Sequence, residues 1–202
     1  MFPVILSMIA YGLLHSVLAS REVKSAAHKR IGERAYHGLY RVGFNGVAIV
    51  TILPILWLVV AHPGERVYDL GEGWALPLLA MRLVGLVGFV VALVQIDLWR
   101  FAGLRQLYHY VTGRELPLRD EGLTTSGVYG WVRHPLYLFS LMVIWSASSM
   151  SEAVFGLNIG ITLYFLVGSY YEEKRMIQSY GADYLAYCER VPWVFPTVKN
   201  KS

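Results

Sequence analysis

Three stretches of this chain gather residue types that can hold a polar small molecule. The first, Glu121-Gly122-Leu123-Thr124-Thr125-Ser126-Gly127-Val128-Tyr129, is a loop whose glycines let backbone come close to a ligand. In the second, Arg133-His134-Pro135-Leu136-Tyr137, Pro135 suits the first position of a helix and keeps His134 out of helical geometry. The imidazole is therefore expected at a helix entrance, beside free N–H groups. The third runs from Glu172-Glu173 through Tyr180-Gly181-Ala182-Asp183-Tyr184 to Val191-Pro192 and Pro196. Any one of these stretches alone also fits an interfacial anchor of aromatic and Arg side chains.

The elements that must position these residues are membrane helices. Of 202 residues, 55% are hydrophobic and 16% charged, and the mean hydropathy is +0.45. A soluble domain carries about a quarter charged residues. The net charge of +4 would suggest nucleic acid in a soluble chain, but here Lys and Arg sit in short loops beside apolar runs, which is how membrane topology is encoded. Soluble-enzyme and nucleic-acid readings fall on that ground. Cys188, the single cysteine, excludes an internal disulfide framework and a Cys-rich metal site, and no metal is expected.

Apolar runs at about 1–19, 43–61, 76–96, 135–150 and 153–171 predict an all-α integral membrane protein of about five spans. The fourth run reaches only about 24 Å and is marginal, and the fourth and fifth are expected to form a tight hairpin. No Lys or Arg precedes the first run, so it is read as a retained helix, not a cleaved leader. Glu172 and Glu173 would oppose the dipole if the fifth helix ended beside them, so it should continue to a cap at Gly181, spanning about 153–180. Gly168, Glu172, Arg175 and Ser179 then share one face.

Residues 20–42 carry Arg21, Lys24, Lys29, Arg30, Arg34 and Arg41 against Glu22 and Glu33, whereas residues 62–75 carry Arg66 against Glu65, Asp69 and Glu72. That asymmetry predicts an external amino terminus, with the 97–134 segment and the tail in the cytoplasm. The whole chain is expected to form one membrane domain, with helices one to three over 1–113 and a ligand-binding half over 114–202. Within the spans, His15, Asn45, Gln95 and Asp97 fall at about the depth of the three stretches and are the candidates to meet a substrate. His15 serves equally well as a link to a neighbouring helix, while Asn45 and Gln95 fit interhelical hydrogen bonds better. Arg82 and Asn158 lie in the outer half, Arg82 snorkelling outward. The basic loop is read as a topology determinant with headgroup contacts.

Taken in order, the three stretches resemble the carboxy-terminal half of the isoprenylcysteine carboxyl methyltransferase superfamily, which includes phospholipid N-methyltransferases and bacterial methanethiol S-methyltransferases. The pattern of Gly127-Val128-Tyr129, Arg133 to Tyr137, Glu172-Glu173, Tyr180-Gly181, Tyr184 and Val191-Pro192 carries the resemblance over about 114–197. His15-Ser16, Tyr40-Arg41 and Asn45 look like the amino-terminal half of the NnrU and methanethiol-methylating branch. The resemblance implies a carboxy-terminal helical hairpin with cytoplasmic loops that hold S-adenosylmethionine through Glu121, Gly122, Leu123, Thr124, Tyr129, His134, Pro135, Leu136, Tyr137 and Glu172. Residue chemistry agrees: tyrosine faces attract a sulfonium, and a carboxylate such as Glu172 suits amino and ribose groups. The cofactor's own carboxylate would take donors from His134 and the start of helix four.

The implied activity is a multi-pass membrane methyltransferase, of the bacterial inner membrane, acting on a small-molecule or lipid substrate with no obligatory protein partner. Carboxyl methyltransferases of the superfamily carry an Arg one turn before the first Glu of the pair, where this chain has Gly168. That departure shifts the expectation from a prenylated-cysteine carboxylate or a phospholipid amine toward a small thiol, with His15 as a base and Asn45, Gly168 and Arg175 as substrate contacts. Two other classes remain open. One is a nicotinamide-dependent reductase like the sterol reductases, which share the carboxy-terminal architecture; the other is an NnrU-like accessory protein without catalysis.

Overall fold

The computed structural model describes residues 1–119 and 122–197. In chain order the helices are α1 (Phe2–Ala19), α2 (Arg21–Ile31), α3 (Glu33–Ala61), α4 (Ala75–Val94), α5 (Leu98–Ala102), α6 (Leu104–Val111), α7 (Pro135–Ile144), α8 (Glu152–Tyr180) and α9 (Ala182–Arg190). Strand β1 (Arg66–Asp69) pairs antiparallel with β2 (Ser149–Ser151) at the end of the bundle away from the three stretches. Helices α1, α3, α8 and α4 with the short turn before it are long and apolar enough to cross a membrane.

Two helix groups make the bundle. Helices α1, α3 and α8 share a core of Val4, Met8, Ile55, Val59 and Ala153. Helix α4 lies along α7, where Gly88 admits the ring of Phe139 so closely that any side chain on residue 88 would overlap it. Small residues at such contacts are the usual means of bringing membrane helices together. Ala92, Val128 and Phe139 complete that core and tie the Gly127–Gly130 turn to the end of α4. Trp57 and Trp74 near one end and Trp99 and Trp131 near the other are all exposed, as aromatic belts require.

Helix α8 ends as its charges demand. It runs unbroken past Glu172 and Glu173 to Gly181, whose φ of 52° and N–H bond to the Ile177 carbonyl (2.9 Å) stop it. Helix α3, in contrast, begins ten residues before the apolar run, because Gly32 at φ 80° separates it from α2 and Glu33 opens it with an acidic first turn.

The fourth apolar run departs from expectation. It forms a helix of only 10 residues, about 15 Å, and the chain leaves helical geometry at Trp145 before joining β2. The described residues therefore hold four helices of spanning length and not five, and α7 folds back along part of α8, with Trp145 Nε1 donating to Thr162 Oγ1 at 3.1 Å. Ser146 turns its hydroxyl onto the Val143 carbonyl (2.7 Å), the local competition by which serine ends helices. The carbonyls that follow are met by other elements: Asn158 Nδ2 donates to Ile144 O (2.7 Å), Tyr68 Oη to Ala147 O (3.0 Å) and Leu70 N to Ser148 O (2.9 Å). Arg82 does not snorkel outward. Its Nε donates to Ser146 Oγ and its Nη2 to Ser146 O, each at 3.0 Å, placing a cation at the negative end of α7. Irregular backbone at this depth persists only with such partners.

Candidate functional site

Pro135 starts α7 and is almost fully buried, and the residues before it are fixed by the tail of the chain. Arg133 N donates to the carbonyls of Pro192 and Trp193 (both 2.9 Å), and His134 N donates to Trp193 O (3.2 Å). The Arg133 side chain completes the joint. Nε and Nη2 meet Glu173 Oε1 and Oε2 at 2.6 and 3.0 Å, while Nη1 donates to the carbonyls of Cys188 and Val191. One guanidinium thus clamps α8, the end of α9 and the Val191–Pro192 turn.

His134, 7% exposed, lies parallel to the ring of Tyr137 with centroids 5.4 Å apart, and Tyr137 in turn stacks on Phe165 at 4.6 Å. Its Nε2 is 3.2 Å from Glu173 Oε1, and its Nδ1 is 3.7 Å from Glu172 Oε2. Burial lowers the affinity of His134 for a second proton below the ordinary histidine value, against the pull of Glu172 and Glu173. A neutral ring with its proton on Nε2, the nitrogen within hydrogen-bond reach, donates to Glu173 and turns an acceptor toward Glu172. Tyr137 Oη donates to Glu172 Oε2 at 3.0 Å. Of the adjacent carboxylates, Glu173 is bound into the joint, and Glu172 lines a cavity.

That cavity, of about 380 Å³, collects residues from across the chain. Gly122, Leu123, Thr124, Tyr129, His134, Leu136 and Glu172 line it, as the sequence predicts for a cofactor site. Pro135 and Tyr137 stand behind this lining and hold it in place; Glu121 lies outside the described residues. Gln95 Oε1 accepts the Val128 N–H at 3.2 Å, and Gly127, at φ 59°, leaves no room for a side chain against the Gln95 amide. Gln95 therefore sets the turn that presents Tyr129. Burial and the nearby Glu172 push the Tyr129 hydroxyl up to about 12, and burial pushes Tyr187 to about 12, so both stay neutral donors. Tyr187 Oη donates to Tyr129 O at 2.5 Å. A more open depression of about 700 Å³ along the end of α4 shares Ile96 and Asp97 with the cavity but none of the motif residues.

The lining also contains residues not singled out as ligands from sequence: Met176, Tyr180, Tyr184 and Tyr187 on one wall, Arg41 and Arg100 on another. The three tyrosines recur at spacings of four and three across the Gly181 cap, a helical signal that could have placed them together. Nothing in the sequence joins Arg41 to this wall.

The expected substrate residues stand apart. Asn45 Nδ2 donates to the carbonyls of Phe101 and Ala102, ending α5. Gly168 faces open space, with no atom within 4 Å of where a Cβ would lie, and Arg175 does not line the cavity. His15 is 3% exposed, has Nε2 3.4 Å from Thr51 Oγ1, and has Nδ1 without a partner among the described residues. It is packed by Tyr11 and Phe44 at centroid distances of 4.3 and 5.3 Å. Ring contacts from Tyr11 to Tyr164, Phe165 and Tyr137 connect this buried group to the cavity.

The chain is similar to known methyltransferases. The phospholipid methyltransferase family pattern matches residues 80–183, which holds most of α4, the motif loop, α7 and all of α8. Methanethiol S-methyltransferase of Crocosphaera subtropica is 29% identical over 202 residues, covering 95% of this chain and 73% of that protein. The enzyme of the same name from Mycobacterium tuberculosis is 24% identical over 96% of this chain and 78% of its own length. Human protein-S-isoprenylcysteine O-methyltransferase is 34% identical over 83 residues, 39% of this chain and 28% of that one. No solved structure matches. With the pattern covering more than half of its length and the motif residues converging on one cavity, the chain belongs to the phospholipid methyltransferase family and is a multi-pass membrane methyltransferase.

Proposed function

We propose that this methyltransferase takes its methyl group from S-adenosylmethionine and delivers it to a small thiol. The observation that carries the donor is the convergence of Gly122, Leu123, Thr124, Tyr129, His134, Leu136 and Glu172 on one cavity. These residues fit the donor. Tyr129 offers an aromatic face to a sulfonium, the Glu172 carboxylate accepts from amino or hydroxyl groups, and Gly122, with no described atom within 4 Å of its Cβ position, leaves room at the wall. When bound, this donor supplies a methyl group on positively charged sulfur, open to in-line displacement.

The chain's own part is positioning and exclusion of water, which such displacements need most. The Arg133–Glu173 clamp holds His134 and Tyr137 against α8, and the tyrosines of α9 cover the adjoining wall. For the acceptor, the reading rests on Gly168. The face of α8 one turn before Glu172 is open and carries no charge, so nothing there is built to pair with a carboxylate. His15 is proposed as the group that takes the thiol proton on Nδ1, and Asn45, Gly168 and Arg175 as residues along the acceptor's approach. The motif end is proposed to face the cytoplasm of a bacterial inner membrane, with the amino terminus outside.

The test supplies the enzyme with labelled methyl donor and, separately, a volatile thiol, a farnesylated cysteine analogue and phosphatidylethanolamine. Label chiefly on the thiol, lost in a His15→Ala variant that still binds the donor, is the expected result. Label chiefly on the farnesylated analogue would overturn the argument from Gly168.

A further inference from the structure

S-adenosylmethionine carries an amino-acid end with a free carboxylate, and the motif wall of the cavity is poorly made for an anion. Nδ1 of His134 is 3.7 Å from a Glu172 oxygen, and its Nε2 is directed to Glu173. The start of α7 has few donors left. Pro135 has no N–H, and those of Arg133, His134 and Tyr137 go to the carbonyls of Pro192, Trp193 and His134. Glu172 would repel a carboxylate placed beside it. The anionic end must therefore lie toward another wall, where a cation is needed.

We propose that Arg41 of α3, in the amino-terminal half of the chain, binds the cofactor's carboxylate. This rests on the donor proposed above. Arg41 lines the same cavity as Glu172. Its Nη1 donates to the Arg100 carbonyl at 3.3 Å, and among the described residues no carboxylate pairs with it. Of the acids around the cavity, Glu173 is held by Arg133, Asp97 lies 2.9 Å from Arg105, and Glu172 accepts from Tyr137 Oη at 3.0 Å. The remaining guanidinium donors offer the planar fork that fits a carboxylate.

The position of Arg41 is built, not incidental. Gly103, at φ 86°, turns the chain between α5 and α6 so near α3 that a Cβ there would lie 2.6 Å from Val42 N. Four residues further along α3, Asn45 holds the last carbonyls of α5 at 3.1 and 2.9 Å. These two contacts dock α3 on the segment that forms this wall. The matched family stretch, 80–183, does not include Arg41; in this assignment the amino-terminal helices complete a binding site that the carboxy-terminal half begins.

The experiment compares two ligands on the purified full chain in detergent by calorimetry: S-adenosylhomocysteine, which has the amino-acid end, and 5′-methylthioadenosine, which lacks it. Arg41→Gln should weaken the first by about tenfold or more and leave the second within about twofold, the pattern of one lost charge-assisted contact. Arg41→Lys, which keeps the charge without the fork, should fall between. Equal weakening of both ligands would show that Arg41 acts only through the shape of the cavity, and an undiminished affinity for S-adenosylhomocysteine would remove it from the site; either overturns the assignment. If the unaltered protein binds neither ligand, the donor reading fails and this assignment fails with it.

Discussion

Arg133 and Glu173 meet side-on, Nε to Oε1 at 2.6 Å and Nη2 to Oε2 at 3.0 Å, with 11% and 19% of their side chains exposed. This pair separates the two neighbouring carboxylates of α8 by role. Glu173 is bound into the joint between α7, α8 and the tail, and Glu172, 38% exposed, is left to the cavity. Substituting Glu173→Ala leaves a guanidinium largely buried and uncompensated and should destabilise the fold by about 3 kcal/mol or more. Glu172→Gln should change stability little while weakening ligand binding. Thermal unfolding of both variants in detergent, beside a binding titration, checks the division; equal loss of stability in the two would contradict it.

His134 gives the site a pH dependence of definite sign. Its folded-state proton affinity is lowered by burial, so the unfolded chain takes up this proton first as pH falls. The stability contributed by the neutral, Glu173-bonded ring is complete above the ordinary histidine range and diminishes below it, down to the lowered folded-state value. The gap in unfolding temperature between the unaltered protein and His134→Gln should therefore be widest near pH 7.5 and narrow by pH 5. A gap that widens on acidification would show that His134 is held as the cation.

Arg82 ends α7 from within the membrane, through Ser146 Oγ and Ser146 O at 3.0 Å each. Arg82→Leu removes both donors from a buried turn and should cost about 1 to 3 kcal/mol. Arg82→Lys, able to reach one acceptor, should cost less. Unfolding midpoints in detergent decide this; no change in either variant would mean that the guanidinium snorkels away from Ser146 after all.

The proposed orientation rests on loop charge. In a Cys188→Ser background, Glu72→Cys should react with an impermeant thiol reagent added to intact cells, and Lys29→Cys should react only after lysis. The reverse pattern would place the cavity away from the cytoplasmic supply of methyl donor.

The end of α8 was legible in the sequence because two carboxylates cannot sit comfortably at a helix C-terminus, and Gly181 stood ready as the next cap. The convergence of Gly122 to Thr124, Tyr129, His134 and Glu172 was legible as a resemblance in ordered spacing. The early end of α7 was hidden, because Val143-Ile144-Trp145 continues the apolar run and the break is sustained by Arg82 and Asn158 from other helices. Periodicity along one segment does not reveal a partner on another. For the same reason residue chemistry alone does not separate Glu172, which the resemblance assigns to the cofactor, from Glu173, which Arg133 meets, and Gln95 reads as a link between helices when its partner is the Gly127–Val128 turn. Arg41 reads from sequence as a basic-loop residue and as part of the amino-terminal resemblance; its place on the cavity wall depends on the α5–α6 corner at Gly103.

The central claim is that the cavity beside His134 and Glu172 holds the methyl donor, and calorimetric titration of the purified protein with S-adenosylhomocysteine tests it most directly. The unaltered chain should bind, and His134→Ala and Glu172→Gln, shown to be folded, should each bind more weakly by about 1 to 3 kcal/mol, the cost of leaving a polar partner unmet. Undiminished affinity in both folded variants, or no binding by the unaltered chain, would contradict it.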